Sequence, residues 1–247
     1  MTRMTGAEDP RGPRRPLWLD LTILALSAVI FVTLIGLGNW QVRRLHWKRD
    51  LIEAVDTRAF AAPVAAPADP VAADTHSYLR VETQGVYRHD LSQRVKAVTD
   101  LGPGYWVMTP LIAQGDGAPR TTWINRGFVP NGLDPAEWTR PDGPQRVEGL
   151  LRLTEPDGTL MERNDPEAGR WVSRDVLALS REAGLGDTAG YFIDADHQGA
   201  PADWPRGGLT VIHFRNSHLS YALTWFAMAL LFLGAMVYVI RDRLKRR

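Results

Sequence analysis

His218 is followed by Tyr221, Ala222 and Trp225 at i+3, i+4 and i+7, which places an imidazole and two aromatic rings on one face of a helix. An imidazole beside aromatic rings at a bilayer edge can ligate the iron of a membrane-soluble haem while the macrocycle lies against the helix. The same residues also fit an aromatic belt, with the histidine hydrogen-bonded to headgroups or to Asn216. Position alone leaves both readings open. The other histidines, His46, His76, His89, His197 and His213, form no His-x-x-x-His pair and have no Glu placed as in zinc proteases. Asp194, Asp196 and His197 are the densest polar cluster. The two Asp would share a strand face, and the spacing reads as a solvated strand end leading into a turn, because oxygen-rich cation loops recruit more ligands.

Other chemistries lack their residues. Cysteine is absent, so there is no thiolate nucleophile, no thiolate metal site and no disulfide. No Gly-x-Ser-x-Gly elbow occurs, and Ser217 beside His218 has no evident orienting acid. Gly36-Leu37-Gly38 follows an apolar run rather than a strand and lacks the third glycine of a dinucleotide fingerprint. Met108, Met161, Met228 and Met236 are too scattered for copper carriage. The net charge is +1 and the basic residues cluster beside two apolar runs, which argues against a nucleic-acid-binding face. The expectation is a protein that is not an enzyme.

The two apolar runs, 17–37 and 219–240, hold 21 and 22 residues and enclose about 180 residues without a comparable stretch. At about 1.5 Å per residue, each suffices to cross a hydrocarbon core of roughly 30 Å. Arg3, Arg11, Arg14 and Arg15 precede the first run, and Arg241, Arg243, Lys245, Arg246 and Arg247 follow the second. Arg43, Arg44, Lys48 and Arg49 oppose that bias, but only Arg206 and Arg215 lie just before the second run. Lys and Arg in short flanks resist translocation. The expected layout is a cytoplasmic tail (1–16), a first span (17–37), an extracytoplasmic β-rich domain (38–218), a second span (219–240) and a cytoplasmic basic tail (241–247). The length of the first run and its Gly-Asn-Trp-Gln exit favour an anchor over a cleaved signal peptide. Asp20 lies near its cytoplasmic end, where a carboxylate reaches headgroup water.

Between the spans, 41–54 is charged and helix-compatible, which lets the first helix continue out of the bilayer, and the Ala- and Pro-rich 60–74 reads as a linker. Short segments rich in Val, Ile, Thr and aromatics follow at 78–85, 86–99, 104–113, 120–129, 145–154, 160–163, 170–173, 191–194 and 209–215, with one helix over 173–183. Gly102-Pro103-Gly104, Gly115-Asp116-Gly117 and Pro141-Asp142-Gly143 read as the turns between them. The predicted fold is an α+β membrane protein, two transmembrane helices flanking a β-sandwich or partly open barrel.

Several motifs in fixed order are more specific than any of these signals. Leu37-Gly38-Asn39-Trp40-Gln41 with Arg44 and Lys48 is followed by Gly104-Tyr105-Trp106-Val107-Met108-Thr109-Pro110-Leu111 and by Trp123-Ile124-Asn125-Arg126-Gly127-Phe128-Val129-Pro130. Asn164-Asp165-Pro166 with Trp171 and Asp175, then Tyr191-Phe192-Ile193-Asp194, and finally Phe214-Arg215-Asn216-Ser217-His218-Leu219-Ser220-Tyr221-Ala222-Leu223-Thr224-Trp225-Phe226 complete the series. From about residue 36 to residue 240 the chain resembles the Surfeit locus protein 1 family, membrane factors that assist assembly of cytochrome c oxidase.

The resemblance implies a respiratory-chain assembly factor or chaperone in a bacterial-type inner membrane, carrying or positioning haem A for the oxidase catalytic subunit. It implies haem A binding through a histidine at the start of the second span, the position of His218, with Trp225 and Tyr221 behind the macrocycle. Arg44 would meet a propionate or a partner's acidic loop, and Arg126 is open to the same contacts, while Asn125 and Gly127 are expected to turn the chain. The implied partners are the oxidase catalytic subunit, the haem A-synthesising enzyme and membrane lipid. Ser217 and Phe128 stand where the family pattern suggests Asn and Trp. A haem-free scaffold that holds the nascent oxidase subunit remains the alternative.

Overall fold

The computed structural model describes residues 16–113, 121–156, 158, 162–212, 214 and 216–245. The expectations involving Arg3, Arg11, Arg14, Arg15, Met161, His213, Arg215, Arg246, Arg247 and the 115–117 turn lie outside the described residues. The chain forms two compact units, Met1–Leu51 with Arg215–Arg247, and Ile52–Phe214.

The first unit contains two helices long and apolar enough to cross a membrane, α1 (Leu17–Ala59) and α4 (His218–Lys245). Helix α1 does continue past its apolar run, for 43 residues in all. Its last turns belong to the second unit, where Val55 and Ala59 are buried and Arg58 donates to the Asp74 carbonyl. The 60–74 segment carries the two-residue strand β1 (Val64–Ala65), which pairs in parallel with the next strand, and runs into the short helix α2 (Ala73–His76).

The second unit is built on a closed barrel of five strands. Strand β2 (Arg80–Tyr87) pairs with β6 (Pro144–Leu153), β6 with β7 (Thr188–Ala195), β7 with β5 (Thr121–Pro130), and β5 with β4 (Gly102–Ala113). Pairing of Gly85, Val86 and Tyr87 with Ala113, Ile112 and Leu111 returns β4 to β2 and closes the ring. Gly85 sits at that closure because a Cβ there would fall 2.3 Å from the Ile112 carbonyl oxygen. All these pairs are antiparallel except β5–β7. Strand β3 (Gln93–Thr99) extends the sheet beyond β4.

Alternation along the strands gives the barrel its core. Val81, Leu111, Ile124, Val147, Leu151, Tyr191 and Ile193 form one buried cluster. A second gathers Val95, Met108, Trp123, Trp171 and Phe192 under Val176 and Leu179 of helix α3 (Val176–Glu182). Strands β5 and β7 are therefore covered on both faces, which explains their nearly unbroken apolar runs. Asp175 caps α3 by accepting from Ala178 N at 3.1 Å, and the buried Trp123 donates to Ser180 Oγ at 2.9 Å.

Several sequence expectations change. The 86–99 segment is not one strand but the end of β2, a 3₁₀ turn at His89–Leu91 and β3. Gly102-Pro103-Gly104 opens β4 instead of standing before it. Residues 170–173 contribute only isolated bridges, Val95 with Trp171 and Asp165 with Arg170, and the described part of 209–215 is not a strand. Asn125-Arg126-Gly127 is no turn: it lies inside β5, where the register against β4 slips between Trp106 and Met108. Gly127 has φ +126°, and a Cβ there would fall 2.1 Å from the Arg206 backbone, which bonds to Phe128 in both directions at 2.9 Å.

Asp194 is the largest correction, since it is buried and fully engaged, not solvated. Its carboxylate accepts from Asn125 Nδ2 (2.7 Å), Arg174 Nη1 (3.0 Å), Arg152 Nη1 (3.2 Å) and Thr210 Oγ1 (2.9 Å). Glu155 receives the outer edges of both arginines. Burial opposes the charge of Arg174, but Asp194 and Glu155 outweigh it and hold its pKa above the ordinary arginine value. Asp196 instead forms a part-exposed pair with Arg80.

Removing Asp194 leaves two largely buried guanidinium groups with Glu155 as their one shared carboxylate, so Asp194→Ala should cost about 3–5 kcal/mol. Asp196→Ala breaks a partly exposed pair and should cost about 1 kcal/mol or less. Denaturant unfolding followed by tryptophan fluorescence distinguishes them; equal losses would contradict the role given to Asp194.

Candidate functional site

In the first unit the polar residues of α1 and α4 meet at two levels. Asp20, near the start of α1, pairs with Arg243, near the end of α4. Gln41 of α1 meets His218, the first residue of α4, with Gln41 Oε1 2.7 Å from His218 Nδ1. At about 1.5 Å per residue, α1 rises about 32 Å between its two contacts and α4 about 38 Å. The contacts thus bracket a slab as thick as a hydrocarbon core of about 30 Å.

Small residues set the approach between them. Gly38 is buried, and a Cβ there would lie 2.5 Å from the Phe226 ring. On α4, Ala222 and Ala229 are buried while Leu223, Leu230 and Leu231 are exposed. This is the pattern expected where helices associate in lipid through packing of small side chains. Gly38, which the sequence placed in a failed nucleotide fingerprint, is a packing residue.

The contact to Gln41 fixes the chemistry of His218. With the amide oxygen facing the ring, Nδ1 donates and Nε2 carries the available lone pair. The His218 backbone N–H reaches Asn216 Oδ1 at 3.4 Å, an interaction at the outer limit of hydrogen-bond length. His218 is half-buried, Trp225 is half-buried and Tyr221 is exposed. At about 100° per residue, Trp225 lies roughly 20° and Tyr221 roughly 60° round the helix from His218, on the side away from Phe226. Ala222 is turned into the buried seam instead. Among the described residues no three His, Asp or Glu side chains come together as a metal-binding group.

Arg44, one turn beyond Gln41, stacks on Trp47 with its guanidinium 3.8 Å from the ring centroid. It is exposed, as is Trp40. The sequence thus named His218, Trp225 and Tyr221 but missed Gln41 as the partner of the histidine, although Gln41 stood in the quoted motif.

Arg126 lies in the second unit. Its guanidinium donates to the Thr139 carbonyl at 2.6 Å and sits 5.2 Å from the centroid of the Tyr87 ring. Burial lowers its pKa from the usual arginine value, and the nearby charge of Arg140 pushes the same way. Burial likewise pushes the Tyr87 phenol up to about 12, with Arg126 acting in the opposite sense. The Tyr87 hydroxyl is buried without a partner in hydrogen-bond geometry. Phe128, next in the motif, packs edge-on against Trp106 at 5.9 Å between centroids.

A β-barrel domain inserted in the chain between two membrane-length helices, with an oriented imidazole at the first residue of the second helix, defines an α+β membrane protein. The sequence model of the SURF1 family matches residues 28–230. Surfeit locus protein 1 of Homo sapiens is 34% identical over 221 residues, which cover 81% of this chain and 72% of that protein. The Takifugu rubripes protein of the same name is 30% identical, over 81% of this chain and 89% of its own length. A SURF1-like protein of Monosiga brevicollis is 31% identical over 88% of this chain and 87% of its own. The chain belongs to the SURF1 family. The matched span includes both Gln41 and His218 and leaves Asp20 and Arg243 outside.

The raised Tyr87 pKa has a stability consequence of definite sign. The unfolded phenol titrates near 10 and the folded one at about 12, so the contribution is fully present below pH 10 and is lost as pH rises toward 12. Denaturation midpoints at pH 9, 10 and 11 should fall more steeply for the wild type than for Tyr87→Phe. Parallel declines would show that the phenol is not protected.

Proposed function

We propose that this protein assists cytochrome c oxidase assembly by carrying or positioning haem A, which it receives at His218 and releases to the oxidase catalytic subunit. Membership in the SURF1 family supports the assembly role. The orientation of His218 by Gln41 is the single observation that favours a carrier over a haem-free scaffold. A ligating histidine normally gives its second N–H to a carbonyl or carboxylate, which fixes the ring and raises its basicity. Gln41 supplies that partner, and Nε2 is left as the donor to iron.

Haem A is cargo in this reading, and the iron supplies the affinity for one imidazole. Trp225 and Tyr221 provide aromatic surface beside the ligand, and nothing covalent is asked of the protein. Arg44 contributes through its stack on Trp47, as a cation at the membrane edge able to meet a propionate or an acidic loop. The proposed setting is a bacterial-type inner membrane with both termini cytoplasmic and the barrel outside; the pairing of Asp20 with Arg243 is consistent with both lying at one face. The haem A-synthesising enzyme and lipid are the further partners proposed.

The test is the haem content and visible spectrum of detergent-purified protein from cells that make haem A. Wild type should retain near-equimolar haem A, folded His218→Ala should lose it, and Gln41→Leu should bind it about 10–100-fold more weakly, the usual cost of removing such a partner. Equal haem in wild type and His218→Ala would remove the site from the histidine. No haem in any variant, with oxidase subunits still co-purifying, would replace the carrier by the scaffold.

A further inference from the structure

At one end of the barrel, where β2 and β7 finish and β6 begins, a cavity of about 470 Å³ opens among Tyr87, Arg126, Arg140, Gln145, Asp196 and Pro205. Two features of its wall are costly as they stand. Arg126 is largely buried, and among the described residues no carboxylate pairs with it. The Tyr87 hydroxyl, on a residue 5% exposed, lies beside the Arg126 guanidinium, which can only donate, and among the described residues its own proton meets no acceptor in hydrogen-bond geometry. A buried donor without a partner forfeits its hydration, and a buried cation without a counterion forfeits more.

The charges facing this space are unequal. Arg126 and Arg140 lie close enough to depress the Arg126 pKa by mutual repulsion. The one acid in the wall, Asp196, is held by Arg80. Arg140 is exposed at the rim, with only a 3.3 Å bond to the Pro135 carbonyl. Arg126 spends one nitrogen on Thr139 and keeps the rest of its fork. We infer that this barrel-mouth cavity is a binding site for a carboxylate on a short aliphatic stem, held by the Arg126 fork and the Tyr87 hydroxyl, with Arg140 at the entrance.

The fit is chemical. A planar carboxylate accepts two parallel bonds from a guanidinium and has lone pairs left for the phenol. Pro141, Ala195 and Pro205 give the apolar wall that a short methylene stem needs. An anion here neutralises the repulsion between two arginines and satisfies the orphaned hydroxyl. The site lies within the second unit, and its residues take no part in the haem proposal.

The experiment uses the full chain in detergent, with radiolabelled glutarate in equilibrium dialysis and a parallel thermal-shift series. A blocked Gly-Glu-Gly peptide and inorganic phosphate serve as competitors. Saturable glutarate binding is expected, abolished in Arg126→Gln and weakened about tenfold in Arg140→Gln and Tyr87→Phe, the usual loss for one charge-assisted hydrogen bond. Tyr87→Phe should change the melting temperature of the unliganded protein little, since the proton of its buried hydroxyl has no acceptor to lose; a tyrosine with a purely structural hydrogen bond would lower it. Displacement by the peptide assigns the carboxylate to an acidic side chain of a polypeptide, and its failure with glutarate still bound assigns it to a free organic acid. Phosphate binding without glutarate binding overturns the ligand class. Glutarate binding unchanged in Arg140→Gln and Tyr87→Phe, or no binding at all, overturns the site.

Discussion

One buried carboxylate ties this barrel together. Asp194 on β7 accepts from Asn125 on β5, from Arg152 on β6, from Arg174 before α3 and from Thr210 in the segment that leads toward α4. Desolvating a charge of this kind is expensive, and it is tolerated only where several donors converge on it. The convergence also selects a structure. A one-residue slip of β7 would point Asp194 into the aliphatic interior beside Ile124 and Leu151, where no donor waits. The parallel β5–β7 pairing, which no hairpin can enforce, thus carries its own register marker. Asn125 adds to it by turning its other amide atom to the Gly127 N–H at 3.1 Å, which couples the ionic centre to the kink that carries Arg126.

The helix pair of the first unit uses the opposite economy. In hydrocarbon, apolar side chains gain nothing from leaving lipid for one another, so specificity comes from close packing and from a few polar contacts. Gly38 against Phe226 supplies the first, and Asp20–Arg243 with Gln41–His218 supplies the second. Both polar contacts sit at the ends of the apolar stretch, where water and headgroups reduce their cost. Placed at mid-span they would have been far dearer. This spacing also gives the half-buried His218 a fixed partner in a region where most polar side chains hydrogen-bond to solvent.

Legibility in the sequence followed the range of the interaction involved. The two spans, the helical extension beyond the first, the helix α3 and the cores of β2, β4, β5, β6 and β7 rest on local periodicity and were readable. Barrel closure rests on three residue pairs between β2 and β4 and leaves no local mark except Gly85. Asn125-Arg126-Gly127 has a turn composition because one backbone there does need a positive φ, but the need comes from Arg206, 79 positions later. Gln41 and His218 are 177 residues apart, so no spacing rule joins them. The polar look of Asp194-Ala195-Asp196-His197 concealed two different fates, because burial of alternate residues depends on what covers the sheet. Arg126 and Tyr87 likewise announce nothing until the barrel brings β5 beside the end of β2.

The identity of the partner of His218 matters as much as its presence. A carboxylate in place of Gln41 would also hold the ring, but it would bring a second titratable group to the membrane edge and make the imidazole a stronger base and a tighter ligand. An amide orients the ring through its carbonyl oxygen without adding charge. For a resident cofactor that would be a weakness. For a carrier it is an advantage, since cargo bound through one ligand of moderate strength leaves by ligand exchange as soon as a recipient offers a better site. Under the carrier proposal, the neutral Gln41 is therefore as much a determinant of release as His218 is of capture.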